Sequence, residues 1–149
     1  MQSTTLFYTP VPEDYPAMAD VWEASVRATH HFLGEDDIQF FKPLILNEYF
    51  KQVTLLCTRD ERSFINGFIG IADGKIEMLF LHPDSRGKGL GKKLLQHVVA
   101  HHNVRLVDVN EQNEDATAFY KHMGFGVISR SETDAMGKPF PLLMMELKP

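Results

Sequence analysis

The sequence predicts a mixed α/β sheet covered by helices on both faces. Asp73-Gly74 sits between two apolar runs, FIGIA and KIEMLFLH, which is the signature of a tight hairpin. The later apolar runs, VRLVDV and FGVISRSE, are separated by a segment with helical spacing, so the strands change from hairpin to helix connections along the chain. The 149 residues, 44% hydrophobic and 23% charged, suit one ordinary folded domain over 1–149.

The elements follow in order. TTLFY reads as a short first strand. A helix is expected from about Glu13 to His30, with Met18, Val21, Trp22 and Val26 at helical spacing and Pro16 in the tolerant first turn. DIQFFKPLILNEYFKQ is a second helical region, expected to be interrupted near Pro43. VTLLCT and FINGFIGIAD are strands. IEMLFL is apolar on both faces apart from Glu77, as an interior strand should be. A glycine-rich loop, HPDSRGKGLGKK, follows it. Leu90, Leu94, Leu95, Val98 and Val99 then mark the inner face of a helix. After the strand VRLVDV, the segment NEDATAFYKHM is a helix with Asn113 as N-cap and Gly124 as its stop. FGVISRSE and LLMMEL close the sheet, joined by TDAMGKPFP. There is no internal repeat and no interior linker.

Composition narrows the function. A net charge of −5 argues against a nucleic-acid groove, which needs a basic face. No apolar run approaches the roughly 20 residues of a membrane span, and the first residues lack the basic flank and apolar stretch of a signal peptide. Cys57 is the single cysteine, so no internal disulfide forms and a reducing, cytoplasmic setting is expected.

The glycine loop points to an anion. A P-loop would need glycine at Arg86 and Ser or Thr at Lys93, and a dinucleotide fingerprint would need glycine at Lys92; neither holds. The pattern that fits is Arg86-x-x-Gly89-x-Gly91 at a strand-to-helix turn. The first amides of a helix lack internal partners and carry partial positive charge, and glycines let a diphosphate approach them. Arg86, Lys88 and Lys92 add charge.

That loop, a strand after it, and then Asn113-x-x-Ala116-x-x-Phe119-Tyr120-x-x-x-Gly124-Phe125 together resemble the GNAT superfamily of acetyl-CoA-dependent N-acetyltransferases. SVRATHHFL, VNEQNEDATAFY and RSETDAMGKPFPLL are similar to a narrower bacterial branch, the YjaB-type acetyltransferases. The resemblance implies a mostly antiparallel sheet of about seven strands, splayed in the middle. It implies acetyl-CoA as co-substrate and no metal. It places the diphosphate on Arg86, Gly87, Lys88, Gly89, Leu90, Gly91 and Lys92. The pantetheine arm would pair with the backbone of Met78 to Leu81, and so with Leu79, Phe80 and Leu81. A backbone N–H there can also hold a developing oxyanion.

Acyl transfer to an amine needs a base, an oxyanion site and a proton for the leaving thiolate. By the resemblance, Tyr120 is the acid, and Asn113 touches the cofactor besides capping its helix. Asn110 is a weaker contact. Glu77, the one carboxylate in its strand, is the candidate base, since burial raises a carboxyl pKa. His30 and His31 are rival bases at the end of the first helix, which in this family borders the acceptor cleft. His30, Phe32 and Phe140 are the expected acceptor contacts. Cys57 as an acetyl-carrying nucleophile and a metal on His97 and His101 are the disfavoured options. The partner is therefore an amine, either a small molecule or a protein lysine, with the chain a monomer or homodimer. The alternative to an enzyme is a non-catalytic acyl-CoA-binding regulatory module, against which Tyr120 counts.

Overall fold

The computed structural model describes residues 7–149. Two helices come first, α1 (Tyr15–Thr29) and α2 (Glu35–Asn47). The strands β1 (Thr54–Arg59), β2 (Ile65–Ala72) and β3 (Lys75–Leu81) follow as a meander. Then come α3 (Leu90–His102), β4 (Leu106–Asn110), α4 (Glu114–His122), β5 (Phe125–Ser131) and β6 (Leu142–Leu147). The sheet order is β1-β2-β3-β4-β6-β5, and every neighbouring pair is antiparallel except β3–β4. Six strands pair in this sheet among the described residues. Most of the expected first strand, residues 4–8, lies outside them; Tyr8 makes an isolated bridge to Cys57.

Asp73 and Gly74 turn the β2–β3 hairpin with φ of 52° and 76°. Two successive positive φ values match the twist of the flanking strands, which is why an Asp-Gly pair serves there. The interruption expected near Pro43 is absent: α2 runs through it and ends at Asn47, before a 3-10 turn over Tyr49–Gln52. Pro43 is exposed, while Ile38 and Ile45 on either side of it are buried. Packing on both sides outweighs the one lost backbone hydrogen bond. Asp37 closes the helix start by accepting from the Gly34 N–H at 3.0 Å.

Each sheet face has its own core. Met18, Trp22, Val26, Ile38, Ile45 and Phe50 from the α1–α2 side pack on Cys57, Phe68 and Met78. Leu94, Leu95 and Val98 of α3 and Tyr120 of α4 pack on Ile69, Ile71, Ile76, Val107 and Met145. Each fully buried aliphatic side chain contributes roughly 1.5–3 kcal/mol.

One irregularity sorts β3 between these cores. Gly70 pairs with Met78, but Ile71 pairs with Ile76, so Glu77 is an extra residue in the ladder. Regular alternation would put Ile76 and Met78 on the same face. The bulge at Glu77 sends Ile76 to the α3–α4 core and Met78 to the α1–α2 core.

Candidate active site

Beyond the bulge the sheet opens. β3 and β4 pair only at Lys75–Leu106 and Ile76–Val107. From Met78 to Leu81, β3 remains bonded to β2 on its other side. Its backbone groups toward β4 therefore face a gap, as splaying requires, and are free to pair with an extended ligand.

The glycine loop stands at the end of that gap. Gly87 and Gly89 have φ of 78° and 79°, and a Cβ on either would meet nothing within 4 Å. Their glycines serve the left-handed backbone and leave the approach open. Lys93 N–H bonds inward to the Gly89 carbonyl at 3.0 Å. The amides before it face out of the start of α3. Arg86, Lys88 and Lys92 make no ion pair among the described residues. The loop is thus an open cationic cradle. A buried polar chain braces it: Thr58 Oγ1 donates to Asn66 Oδ1 (2.7 Å), and Asn66 Nδ2 donates to Ser85 Oγ (3.3 Å). The sequence reading missed this chain, although Asn66 stands out in the apolar run FINGFIGIA.

Two cavities meet along the gap. One, of about 310 Å³, is lined by Leu79, Phe80, Leu81, Arg86, Gly87, Gly89, Leu90, Gly91 and Lys92. The other, of about 590 Å³, holds Glu77, Asp108, Asp134, Phe41, Tyr49 and Phe140 in its wall. His30, Leu79, Phe80, Asn113, Ala116 and Tyr120 line both. Lys88 is exposed at the loop tip, outside either lining.

Tyr120 sits at that junction. It is 5% exposed, held by ring contacts to Phe119 and Phe125 at 5.2 and 5.7 Å. Its hydroxyl has no hydrogen-bond partner among the described residues, yet it is not a sealed unsatisfied group. It therefore opens into the cleft. Burial holds its pKa well above the ordinary phenol value, so it stays a proton donor.

His30 is placed differently from a base. It is buried under α4, with Nδ1 2.8 Å from Thr29 Oγ1 and Nε2 3.2 Å from Asn113 Nδ2. Asn113 Oδ1 accepts from Ala116 N–H at 3.1 Å as helix cap, so its amide Nδ2 faces the ring. Thr29 Oγ1 gives its proton to the Ser25 carbonyl at 2.9 Å. The network assigns a neutral ring, with Nδ1–H donating to Thr29 and Nε2 accepting from Asn113. Burial, and then the nearby charges of Arg86 and His31, push its pKa down to about 4. His30 is a structural bridge between α1 and α4 that also walls the cleft. His31 is exposed.

Glu77, carried by the bulge, faces the larger cavity with its side chain 38% exposed. Partial burial raises its pKa, opposed by Lys75 and reinforced by Asp108 and Asp73. Lys75 Nζ is 2.7 Å from Asp108 Oδ2 and 3.8 Å from Glu77 Oε1. Asp108 and Lys75 were not singled out in the sequence, where VRLVDV reads simply as a strand. Asn110 lines the same cavity.

The segment 133–141 arches over the cavity. Asp134 accepts from the Met136 and Lys138 amides, both at 2.9 Å, and Phe140 lines the wall. Phe32 lies between His30 and Phe140, with ring centroids 5.2 and 5.9 Å away, outside both linings. Cys57 is fully buried in the α1–α2 core and burial raises its thiol pKa, so it is no nucleophile. His97 and His101 rings are 4.6 Å apart, but no cluster of three metal-ligating side chains occurs among the described residues.

A strand pair thus parts beside the glycine-rich start of α3, with a buried phenol at the junction. The model of the acetyltransferase (GNAT) domain matches residues 33–148, and the chain belongs to that family. It is 37% identical over 131 residues to the peptidyl-lysine N-acetyltransferase YjaB of Escherichia coli strain K12, covering 88% of each chain. The solution structure of apo-form YjaB from Escherichia coli matches with a TM-score of 0.86 at 34% identity over 97% of each chain. The PaiA N-acetyltransferase of Thermoplasma acidophilum, in complex with coenzyme A, shares the fold with a TM-score of 0.72 at 23% identity, over 99% of this chain and 100% of that one.

Proposed function

We propose that this N-acetyltransferase takes acetyl from acetyl-CoA and passes it directly to a primary amine in a ternary complex, with a protein lysine as the favoured acceptor. The observation that carries this reading is the meeting of the two cavities at Tyr120, Phe80 and Leu79. A thioester entering from the glycine loop and an amine entering from the carboxylate-lined side would meet there. The relatives named as peptidyl-lysine N-acetyltransferases favour lysine over a small amine.

The chain's residues have distinct parts in that reaction. Arg86, Lys92 and the α3 amides bind the diphosphate. The Met78–Leu81 backbone orients the thiol arm and presents an N–H to the thioester carbonyl oxygen. Glu77 accepts a proton from the acceptor ammonium, directly or through one water, which frees the nitrogen lone pair. The C–N bond forms at the carbonyl carbon and the C–S bond then breaks. Tyr120 gives its proton to the departing sulfur and regains one from the amine nitrogen. One proton is released to solvent overall. With Cys57 buried in the core, no acetyl-enzyme step is invoked.

An acceptor panel of lysine peptides and small amines, followed by release of free CoA, tests the assignment. Saturable turnover with at least one primary amine is expected. CoA release that never exceeds acetyl-CoA hydrolysis without acceptor would refute it.

A further inference from the structure

We propose that Asp108 is a positioning residue that holds Lys75 away from Glu77 and so keeps Glu77 available as the base. The proposal rests on the reading of Glu77 given above. Its starting point is the place of the three groups in the sheet. Lys75 and Ile76 make the last β3–β4 pairs, with Leu106 and Val107. Glu77 and Asp108 are the first residues beyond them, where the strands part and the acceptor cavity begins.

Lys75 is two residues from Glu77 and 3.8 Å from its carboxylate, and among the described residues no Lys or Arg lines the cavity itself. The wall's remaining titratable groups are Tyr49, Tyr120, Asp134 and the neutral His30. Asp73, at the hairpin turn, adds negative charge from the other side. Left to these neighbours, the Lys75 ammonium would seat on Glu77. A charged hydrogen bond of that kind holds a carboxylate ionised and weakens it as a base. Asp108 instead takes the ammonium at 2.7 Å, and Glu77 is left at 3.8 Å, beyond hydrogen-bond reach. The bulge contributes as well, since it turns Glu77 out of the regular alternation that would set it by its neighbours' pattern. Asp108 also keeps a carboxylate close to Glu77, which favours retaining a proton there.

The test compares Asp108→Asn, Lys75→Met, the double variant and Glu77→Gln in the full chain. The kcat/KM for a lysine peptide is measured against pH. The Glu77 carboxyl is titrated by carbon NMR, its resonance identified by loss in Glu77→Gln. In Asp108→Asn, Lys75 should swing to Glu77. Both the Glu77 titration and the acidic limb of the profile should move to lower pH, and the plateau should fall by about fivefold, the factor carried by one modest ion pair. Removing Lys75 as well should return the plateau and the limb to the wild-type values or beyond. The acetyl-CoA Kd should not change in any of these variants.

An unmoved Glu77 titration in Asp108→Asn, or a loss that Lys75→Met fails to rescue, would reduce the pair to a strand fastener and overturn the proposal. Failure of the underlying reading has a different signature. Glu77→Gln would then keep both plateau and limb, while the carbon titration still decides whether Asp108 holds Lys75 off the carboxyl.

Discussion

Replacing Tyr120 by Phe removes one oxygen from the junction of the two cavities. The ring contacts to Phe119 and Phe125 are kept, and the hydroxyl has no hydrogen-bond partner among the described residues. A lost hydrogen bond ordinarily costs about 1 kcal/mol of stability, and here no protein partner is left unpaired. The melting temperature should therefore stay the same or rise slightly. The diphosphate cradle is untouched, so the acetyl-CoA Kd should hold. The proton for the departing sulfur is gone, and general acid catalysis contributes on the order of 10²-fold or more. A 10²-fold fall in kcat amounts to about 2.7 kcal/mol of transition-state stabilisation. The assay pairs steady-state CoA release with a thermal melt and a cofactor titration of the same preparation. An unchanged kcat would show that the phenol is a core residue, and a fall in kcat matched by a lower melting temperature would show that packing, not proton supply, was lost.

Arg86→Ala should weaken acetyl-CoA by about 1–3 kcal/mol, the range for a lost charged hydrogen bond, and ATP should protect the wild-type chain from heat far less than acetyl-CoA at equal concentration. Phe140→Ala should redistribute kcat/KM among amine acceptors at constant acetyl-CoA Kd, because Phe140 lines only the larger cavity; an equal loss for all acceptors with a lower melting temperature would mark it as structural. His30 gives a stability prediction with a defined sign. Its pKa falls from an ordinary 6.5 to about 4 on folding, so between these values the unfolded chain binds the extra proton. Stability is full above pH 6.5 and is lost as pH falls toward 4, by at most about 3 kcal/mol. Chemical denaturation across that range measures it, and His30→Gln should flatten the slope; an identical slope in the variant would show that His30 is not the group responsible.

Much of this protein is written in local stretches. The Asp73-Gly74 turn, the loop from Arg86 to Lys92 and the Asn113 cap each depend on residues within a few positions of one another. Short-range sterics and orphan amides decide them wherever the chain goes. The helical stripe Leu94, Leu95 and Val98 is equally local, since a 3.6-residue period alone fixes its buried face. The residues of the glycine loop by themselves point only to an anion; the amine-transfer chemistry came from the resemblance that Arg86-x-x-Gly89-x-Gly91 and the Phe119-Tyr120 block together bear to the acetyltransferase family.

Other features exist only because distant segments meet. Pro43 reads as a break, but Ile38 and Ile45 are anchored by a core built from α1 and three strands, and that packing outweighs a local preference. Nothing in KIEMLFL announces that Glu77 is an extra residue; the bulge follows from the need of Ile76 and Met78 to enter opposite cores. His30 reads as a titratable histidine at a helix end. It becomes a neutral bridge because Asn113, 83 residues later, turns its amide toward the ring. Asp108 is an ordinary strand residue until β4 lies parallel to β3 and brings its carboxylate to Lys75, 33 residues away. Tight turns and helix caps are set by neighbours in sequence, whereas the Glu77 bulge and the passage of α2 through Pro43 are set by packing. The charge state of a side chain is set by neighbours in space, and only the completed sheet supplies those.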